Sequence, residues 1–371
     1  MRHNAMRRGR PDRGGYPPFH RFEVLYLPGL CDVVSAEVRA ALGIAVEPVA
    51  QRDDSLQLTF TGRWERLLAL RTPVAVFAVL TFAVPRPQTL LSGEHLPAVI
   101  AAVEHVRRLS SARPAVSFRF DAAGAGSSVF ERIAQQIAAG TRLRYDHAAG
   151  DIVLRFRRSV SIADGWDVLI RLSSRPLSHR QWRVRDVPGA ANATIAAAMA
   201  ILSAPRPGDR IANPMCGSGT LMVERLLAGP ASACLGFDID QSMLAASADN
   251  LRAAGLAHRT RLLQADNTQP GWTRHGPFDV VFADPPWGTL MGEHSTNETL
   301  HLELLRRARE AVKPGARLVF LTHEVRRMER CLRTAEDLWR VNSVTRVFQK
   351  GHHPRIYLLT ATGSARDDAI E

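Results

Sequence analysis

Lysine is nearly missing from this chain: of 48 lysines and arginines, only Lys313 and Lys350 are lysines. A GC-rich coding sequence explains arginine in place of lysine, but not a formal net charge of +12. A surplus of base over acid points to a polyanionic partner, because basic proteins neutralise phosphates and release their counterions. Cysteine is scarce as well. Cys31, Cys216, Cys234 and Cys331 show no CxxC spacing, and no histidine cluster sits beside them at zinc-site spacing. A structural zinc motif and a disulfide framework are therefore excluded, and no metal is expected. The four read as reduced, mostly buried thiols of a cytoplasmic protein. No apolar run is long enough to cross a bilayer; the longest, Pro73 to Val84, is interrupted by Thr81, so no membrane partner is expected. The arginines of Met1 to His20 lead into no apolar segment, which argues against a signal peptide. There is no GxGxxG and no Walker lysine, which makes NAD and ATP unattractive cofactors.

What is present fits a soluble globular protein. The 371 residues, 46% hydrophobic and 23% charged, suggest two domains with a sizeable core. Residues 1–20 read as a basic, disordered arm. Residues 21–174 alternate strand and helix periodicities in an α+β pattern. Strands are predicted at 22–27, 56–60, 74–84, 115–120, 152–156 and 168–172, and helices at 32–42, 64–70, 95–109 and 129–139. The stretch 175–190, rich in Arg, Pro and Ser, reads as a linker. From 191 to 363 the pattern is helix, then repeated strand–helix units, the signature of a doubly wound, Rossmann-like α/β domain. Residues 364–371 are a tail.

In that second domain a predicted strand, 209–212, runs into Asn213-Pro214-Met215-Cys216-Gly217-Ser218-Gly219-Thr220 and then a helix. A strand, a glycine turn and a helix N-terminus together form a nucleotide-type site. Alone the turn is weak, since an ordinary helix entry looks the same. The next strand, 233–237, ends in Asp238-Ile239-Asp240. An acidic residue about 20 positions after the glycine loop is where a ribose is held. Asp238 is assigned to the ribose and Asp240 to capping the following helix. A third strand, 261–264, ends in Ala265-Asp266-Asn267, where Asp266 or Asn267 can take an adenine amino group. S-adenosylmethionine fits such a loop, because its sulfonium carries its own charge and needs a backbone cradle rather than a lysine.

The strand 278–283 ends in Asp284-Pro285-Pro286-Trp287-Gly288. Ligands in open α/β sheets bind beyond the carboxyl ends of strands. An exocyclic amine is a poor nucleophile, because its lone pair is delocalised into the ring. Asp284 can accept one amino hydrogen and the Pro285 carbonyl another, aiming the nitrogen lone pair at a methyl group. Pro285 and Pro286 fix that carbonyl by restricting φ, and Trp287 can stack on a base. A Pro-Pro turn after a strand is the plainer alternative. Carbon methylation of a pyrimidine uses a cysteine nucleophile, and no cysteine lies between Cys234 and Cys331.

The segments NPMCGSGTLMVE (213–224), GFDID (236–240), NLRAAG (250–255) and DPPWG (284–288) resemble the class I methyltransferases that act on guanine N2 in RNA. Those enzymes carry an N-terminal THUMP domain. The resemblance spans about 175–360, including RQWRVRDVPGAANATIAAA (180–198), where the family has a loop over the cofactor. It implies a cofactor set of Gly189, Ala190, Asn213, Cys216, Gly217, Ser218, Gly219, Asp238, Asp266, Asn267 and Asp284, with Cys216 a packing side chain. It implies tRNA as the partner and a ferredoxin-like and THUMP-like region in 21–174, with 118–156 as THUMP itself. Asn213 stands where the family has Asp, which keeps an acceptor and loses a charge. Trp287 stands where Tyr or Phe is usual, and DPPW is also typical of adenine amino-group methyltransferases. Ribosomal RNA guanine, adenine in DNA or RNA, a protein glutamine amide, and a non-catalytic RNA-binding role stay open as alternatives. The end of the chain, 341–360, reads as a hairpin whose turn, 350–355, faces RNA phosphate or solvent. His323 and Glu324 read as a helix start.

Overall fold

Alternating and helical apolar patterns resolve into strands and helices in the computed structural model, which describes residues 19–109, 114–286 and 294–363, the side chains of 294–298 excepted. The basic arm up to Pro18, the tail from 364, and Trp287 with Gly288 lie outside the described residues. Two compact units emerge, and they do not follow chain order. The first holds the described residues up to Glu23, with Gln57–Glu65 and Val76–Ser174; the second holds Val24–Leu56, Arg66–Ala75 and the chain from Arg175.

The N-terminal elements are β1 (Arg21–Leu25), α1 (Cys31–Leu42), β2 (Glu47–Pro48), β3 (Ser55–Thr59), α2 (Glu65–Leu68), β4 (Ala75–Phe82), α3 (His95–Leu109), β5 (Ser117–Asp121), α4 (Ser128–Thr141), β6 (Arg144–Tyr145), β7 (Ile152–Arg158) and β8 (Trp166–Arg171). All the predicted strands and helices appear; the two-residue strands β2 and β6 are additions too short to carry a period. Within the first unit, β4, β8, β7, β5 and β6 lie side by side in that order. The β4–β8 and β8–β7 pairs are antiparallel, and β7–β5 and β5–β6 are parallel. Phe118, Phe120, Ile133, Ile137 and Leu154 are buried there.

The second unit continues with α5 (Ala193–Leu202), β9 (Arg210–Pro214), α6 (Thr220–Ala228), β10 (Ala233–Asp238), α7 (Gln241–Ala253), β11 (Arg261–Gln264), β12 (Phe278–Ala283), α8 (His294–Glu310), β13 (Val312–Thr322), α9 (Val325–Thr334), β14 (Trp339–Arg346) and β15 (Arg355–Ala361). The seven strands are ordered β11-β10-β9-β12-β13-β15-β14. The first five are parallel, and β15 runs antiparallel to both β13 and β14. β12 is nearly all apolar and almost wholly buried, as a strand covered on both faces must be. One side of the sheet packs Phe237, Phe278, Phe320 and Tyr357 against Leu304, Leu305 and Ala308 of α8. α5 is apolar all round and buried along eight consecutive residues, 193–200. The strand order reverses between β9 and β12. Connections from those two strands leave in opposite directions, and a crevice opens at their carboxyl ends.

Candidate active site

One side of that crevice is built where β9 ends. Asn213 and Pro214 are its last residues, and the chain then turns through Met215–Gly219 into α6. Positive φ angles at Met215, Gly217 and Gly219 make the turn tight. Gly219 is the α6 cap, and a Cβ there would lie 2.4 Å from the Ser247 hydroxyl, so both backbone and space demand glycine. At Gly217 a Cβ would meet nothing within 4 Å among the described residues, so there the glycine leaves open space beside the loop. The loop is held by Cys216 N–H donating to Phe237 O (2.9 Å) and by Gly219 N–H donating to Cys216 O (2.9 Å).

Asp238 ends β10 and is buried to 8% exposure. One carboxylate oxygen accepts from Gly217 N–H (2.9 Å), the other from Asp240 N–H (3.0 Å). A carboxylate has about four acceptor sites, so each oxygen keeps a lone pair for a ligand hydroxyl. Asp240 caps α7, accepting from Ser242 N–H at 2.7 Å. The Ser242 bonds hold its carboxyl below the usual range. Ile239, between the two, is 62% exposed and offers an apolar side chain beside the carboxylate.

Asn213 is buried, and its Nδ2 donates to Phe282 O at 2.9 Å. That bond ties the strand of the glycine loop to β12, two residues before Asp284. Among the described residues its Oδ1 is buried without a partner. Past β11, Asp266 is exposed and accepts from Thr268 N–H and its hydroxyl (2.9 and 2.7 Å). Asn267 is buried, with an Oδ1 that likewise lacks a partner. Among the described residues, these two buried acceptors and the open glycine stand at the carboxyl ends of β9 and β11.

The loop before α5 folds onto the same place. Arg183 Nη2 donates to Ala191 O (2.8 Å) and to Thr220 Oγ1 (2.9 Å), fastening the segment of Gly189 and Ala190 to the first residue of α6. Gly189 is exposed, with φ of 79°, and Ala190 is half-buried. Asn250, fully buried in α7, accepts from Arg185 N–H (2.8 Å) and donates to Arg185 O (2.9 Å) and Ser218 O (3.0 Å). Sequence reasoning gave Asn250 and Arg183 no role. The available signal was an asparagine inside a predicted helix, where it is a poor former and needs a reason. Deeper in α6, the fully buried Glu224 carboxylate receives Arg71 Nε (2.7 Å) and Arg180 Nε (2.8 Å). It anchors the start of the loop.

On the other side of the crevice, β12 ends at Ala283. Asp284 follows half-buried, Pro285 buried and Pro286 exposed. Trp287, the predicted stacking residue, lies outside the described residues. Among the cofactor-set residues, 213–219 and 238 are brought together directly, and Asn213 joins them to the strand of Asp284. Asp266 points its bonded oxygen to its own turn. Burial, with the nearby Asp238, pushes the Cys216 thiol up, so it is no nucleophile at neutral pH. Glu324 starts α9, its N–H bonded to Thr322 Oγ1 (3.0 Å).

Residues 180–355 match the family model described as UPF0020, RMKL-like, methyltransferase domain. A tRNA (guanine(6)-N2)-methyltransferase of Thermus thermophilus is 31% identical over 196 residues, covering 51% of this chain and 55% of that relative. The chain spans about half the length of that curated relative. One of the same name from Archaeoglobus fulgidus is 24% identical over 346 residues, covering 82% of this chain and 84% of that one. Among solved structures, TrmN from Thermus thermophilus superposes with a TM-score of 0.70 at 24% identity, covering 92% of this chain and 99% of that one. The sheet order, the glycine loop and the superposition agree on a class I methyltransferase fold, and residues 180–355 are similar to the methyltransferase domain of the RMKL-like UPF0020 family.

Proposed function

We propose that this protein transfers a methyl group from S-adenosylmethionine to N2 of guanine in tRNA. The observation that carries the reading is Asp284-Pro285 at the carboxyl end of β12, tied through Asn213 to the strand that feeds the glycine loop. The likeness to tRNA (guanine(6)-N2)-methyltransferases supports the base and the RNA.

The residues present fit the cofactor. Gly217 leaves room for a ligand against the backbone, Asp238 keeps lone pairs for ribose hydroxyls, and Ile239 offers an apolar face to adenine. The bare Asn213 Oδ1 is an acceptor for the methionine ammonium, and the bare Asn267 Oδ1 for the adenine amino group. Gly189 and Ala190 close over the site, held by Arg183. When bound, S-adenosylmethionine supplies the electrophilic methyl group. Asp284 accepts one hydrogen of the guanine amine, and the Pro285 carbonyl accepts the other. The nitrogen lone pair is thereby withdrawn from the ring and aimed in line. Placement and charge stabilisation do most of the work. Residues 21–174 act as a ferredoxin-like and THUMP-like RNA-binding region. Four cysteines without CxxC spacing fit a reducing compartment such as the cytoplasm.

Methyl-labelled S-adenosylmethionine is incubated with the protein and, separately, tRNA, ribosomal RNA and DNA, and the modified nucleoside is identified by mass spectrometry. N2-methylguanosine from tRNA is expected. Methyladenine overturns the base assignment, and N2-methylguanosine from ribosomal RNA alone moves the substrate. Absence of cofactor binding leaves a non-catalytic RNA-binding protein.

A further inference from the structure

The turn between β14 and β15 stands on the same sheet edge as Asp284. Ala283, the last residue of β12, is level with Phe320 of β13, and Thr322 at the end of β13 pairs with Arg355, the first residue of β15. Arg355 in turn pairs with Arg346, the last residue of β14. Residues 347–354 therefore project from the edge that carries the catalytic residues. At strand spacing they stand about 10–15 Å along it from Asp284.

The tip is rigid. Val347 N–H donates to Pro354 O (2.9 Å), and Gln349 and His352 exchange two bonds of 2.9 Å each. Lys350 and Gly351 close the turn with φ of 47° and 83°. Its base is fastened by Phe348 N–H to Pro28 O (3.0 Å), and Gly29 lies so close to Arg346 O that no side chain fits there. On this frame Phe348 is 41% exposed, with its ring 5.0 Å from that of His353 at 44°. Arg346 Nε lies 3.3 Å from His353 Nδ1, and the His352 ring is 6.2 Å from that of His323 at the end of β13. From Val341 to Leu359 the sequence contains no acidic residue. Glu329 of α9 is paired with Arg355, and Glu324, the residue before α9, with Arg327.

A single exposed phenylalanine is ordinary. An exposed aromatic pair on a rigid tip, ringed by Arg346, Lys350 and His352 and free of acids in sequence, has the make-up of a single-strand stacking platform. We propose that the hairpin tip is a second nucleobase subsite. A base neighbouring the methylated one stacks on Phe348 and His353, while Arg346 and Lys350 meet its phosphates. The inference rests on the RNA substrate proposed above and adds that the target strand is held unpaired beyond the target base. A rigid tip binds with little ordering cost, which favours a base over an adaptable protein partner.

The test is equilibrium binding of a fluorescein-labelled single-stranded RNA by anisotropy, with S-adenosylhomocysteine affinity, melting temperature and sedimentation as controls. Phe348→Ala should weaken RNA binding about 10-fold, within the range of base–aromatic stacks. Phe348→Trp should restore it, and neither variant should move the controls. Photo-crosslinking with thiouridine RNA should label the peptide containing Phe348. Unchanged RNA affinity in Phe348→Ala overturns the proposal, as does a parallel loss of melting temperature, or a change in sedimenting mass that marks a protein partner. If no nucleic acid is methylated and Phe348→Ala still weakens RNA binding, the subsite stands and the methyl-transfer reading falls. If tRNA is methylated with equal kcat/KM by Phe348→Ala, the subsite falls and the activity stands.

Discussion

Replacing Asn250 with alanine removes three hydrogen bonds at once, to Arg185 N–H, Arg185 O and Ser218 O. Asn250 lies 65 residues from Arg185 in sequence and is fully buried. A net hydrogen bond contributes about 1 kcal/mol. Water reaches the exposed Arg185 backbone once the clamp opens, so Asn250→Ala should cost about 2–3 kcal/mol of stability. That corresponds to a fall in Tm of about 5–10 °C for a unit of this size. The functional consequence is separate. Ser218 O anchors the glycine loop, and Arg185 leads into the segment of Gly189 and Ala190. If ligand binding must restore one of these bonds, the affinity for S-adenosylhomocysteine drops about tenfold, equivalent to 1.4 kcal/mol. Calorimetry of S-adenosylhomocysteine binding measures it, beside a thermal melt. Arg185→Ala is the control: Asn250 touches only the backbone of Arg185, so that variant should match wild type in both. A lower Tm with unchanged affinity would refute the coupling of the clamp to the cofactor site.

Two further outcomes follow from the same geometry. Gly219→Ala, with φ of 78° and a Cβ 2.4 Å from Ser247 Oγ, should lose more stability in a urea melt than Gly217→Ala, whose Cβ meets nothing; Gly217→Ala should cost about 1–2 kcal/mol and lose more cofactor affinity than stability, and the reverse ranking would contradict the loop assignment. Burial pushes the Cys234 thiol up to about 12 and raises that of Cys216, so the unfolded thiols, near pH 8.5, release protons first. The stability they contribute is complete below about pH 8.5 and falls above it, by about 1.4 kcal/mol per pH unit for each thiol. Cys234→Ala should flatten that slope in urea melts run between about pH 8.5 and about pH 10, and an identical slope would show that the thiol does not drive it.

Much of the site was legible because its signals are local. The strand 278–283 is read from six apolar-rich residues closed by prolines, and its bounds match the structure. The cap at Asp240 follows from an acidic residue directly before a helical period, and the glycine loop from a strand running into a helix. The clamps were not legible, since each pairs residues distant in sequence: Asn250 with Arg185, Arg183 with Thr220, Glu224 with Arg71. The grouping of Val24–Leu56 with the C-terminal unit was hidden for the same reason. The need for glycine at position 29, set by its approach to Arg346 O, is of the same long-range kind. Asn213 looked like a loss of charge in the motif. In the structure its Nδ2 joins β9 to β12, and a carboxylate there has no hydrogen to donate to Phe282 O.

The central claim, that Asp284 acts on the amine while the glycine loop holds the cofactor, is tested by one paired measurement on Asp284→Ala. Single-turnover methyl transfer to tRNA is followed beside S-adenosylhomocysteine affinity. Transfer should fall to background with affinity within about threefold of wild type, since removing a group that acts on the reacting amine lowers the chemical step and not cofactor binding. Equal losses of transfer and affinity would make Asp284 a cofactor or structural residue and would contradict the account.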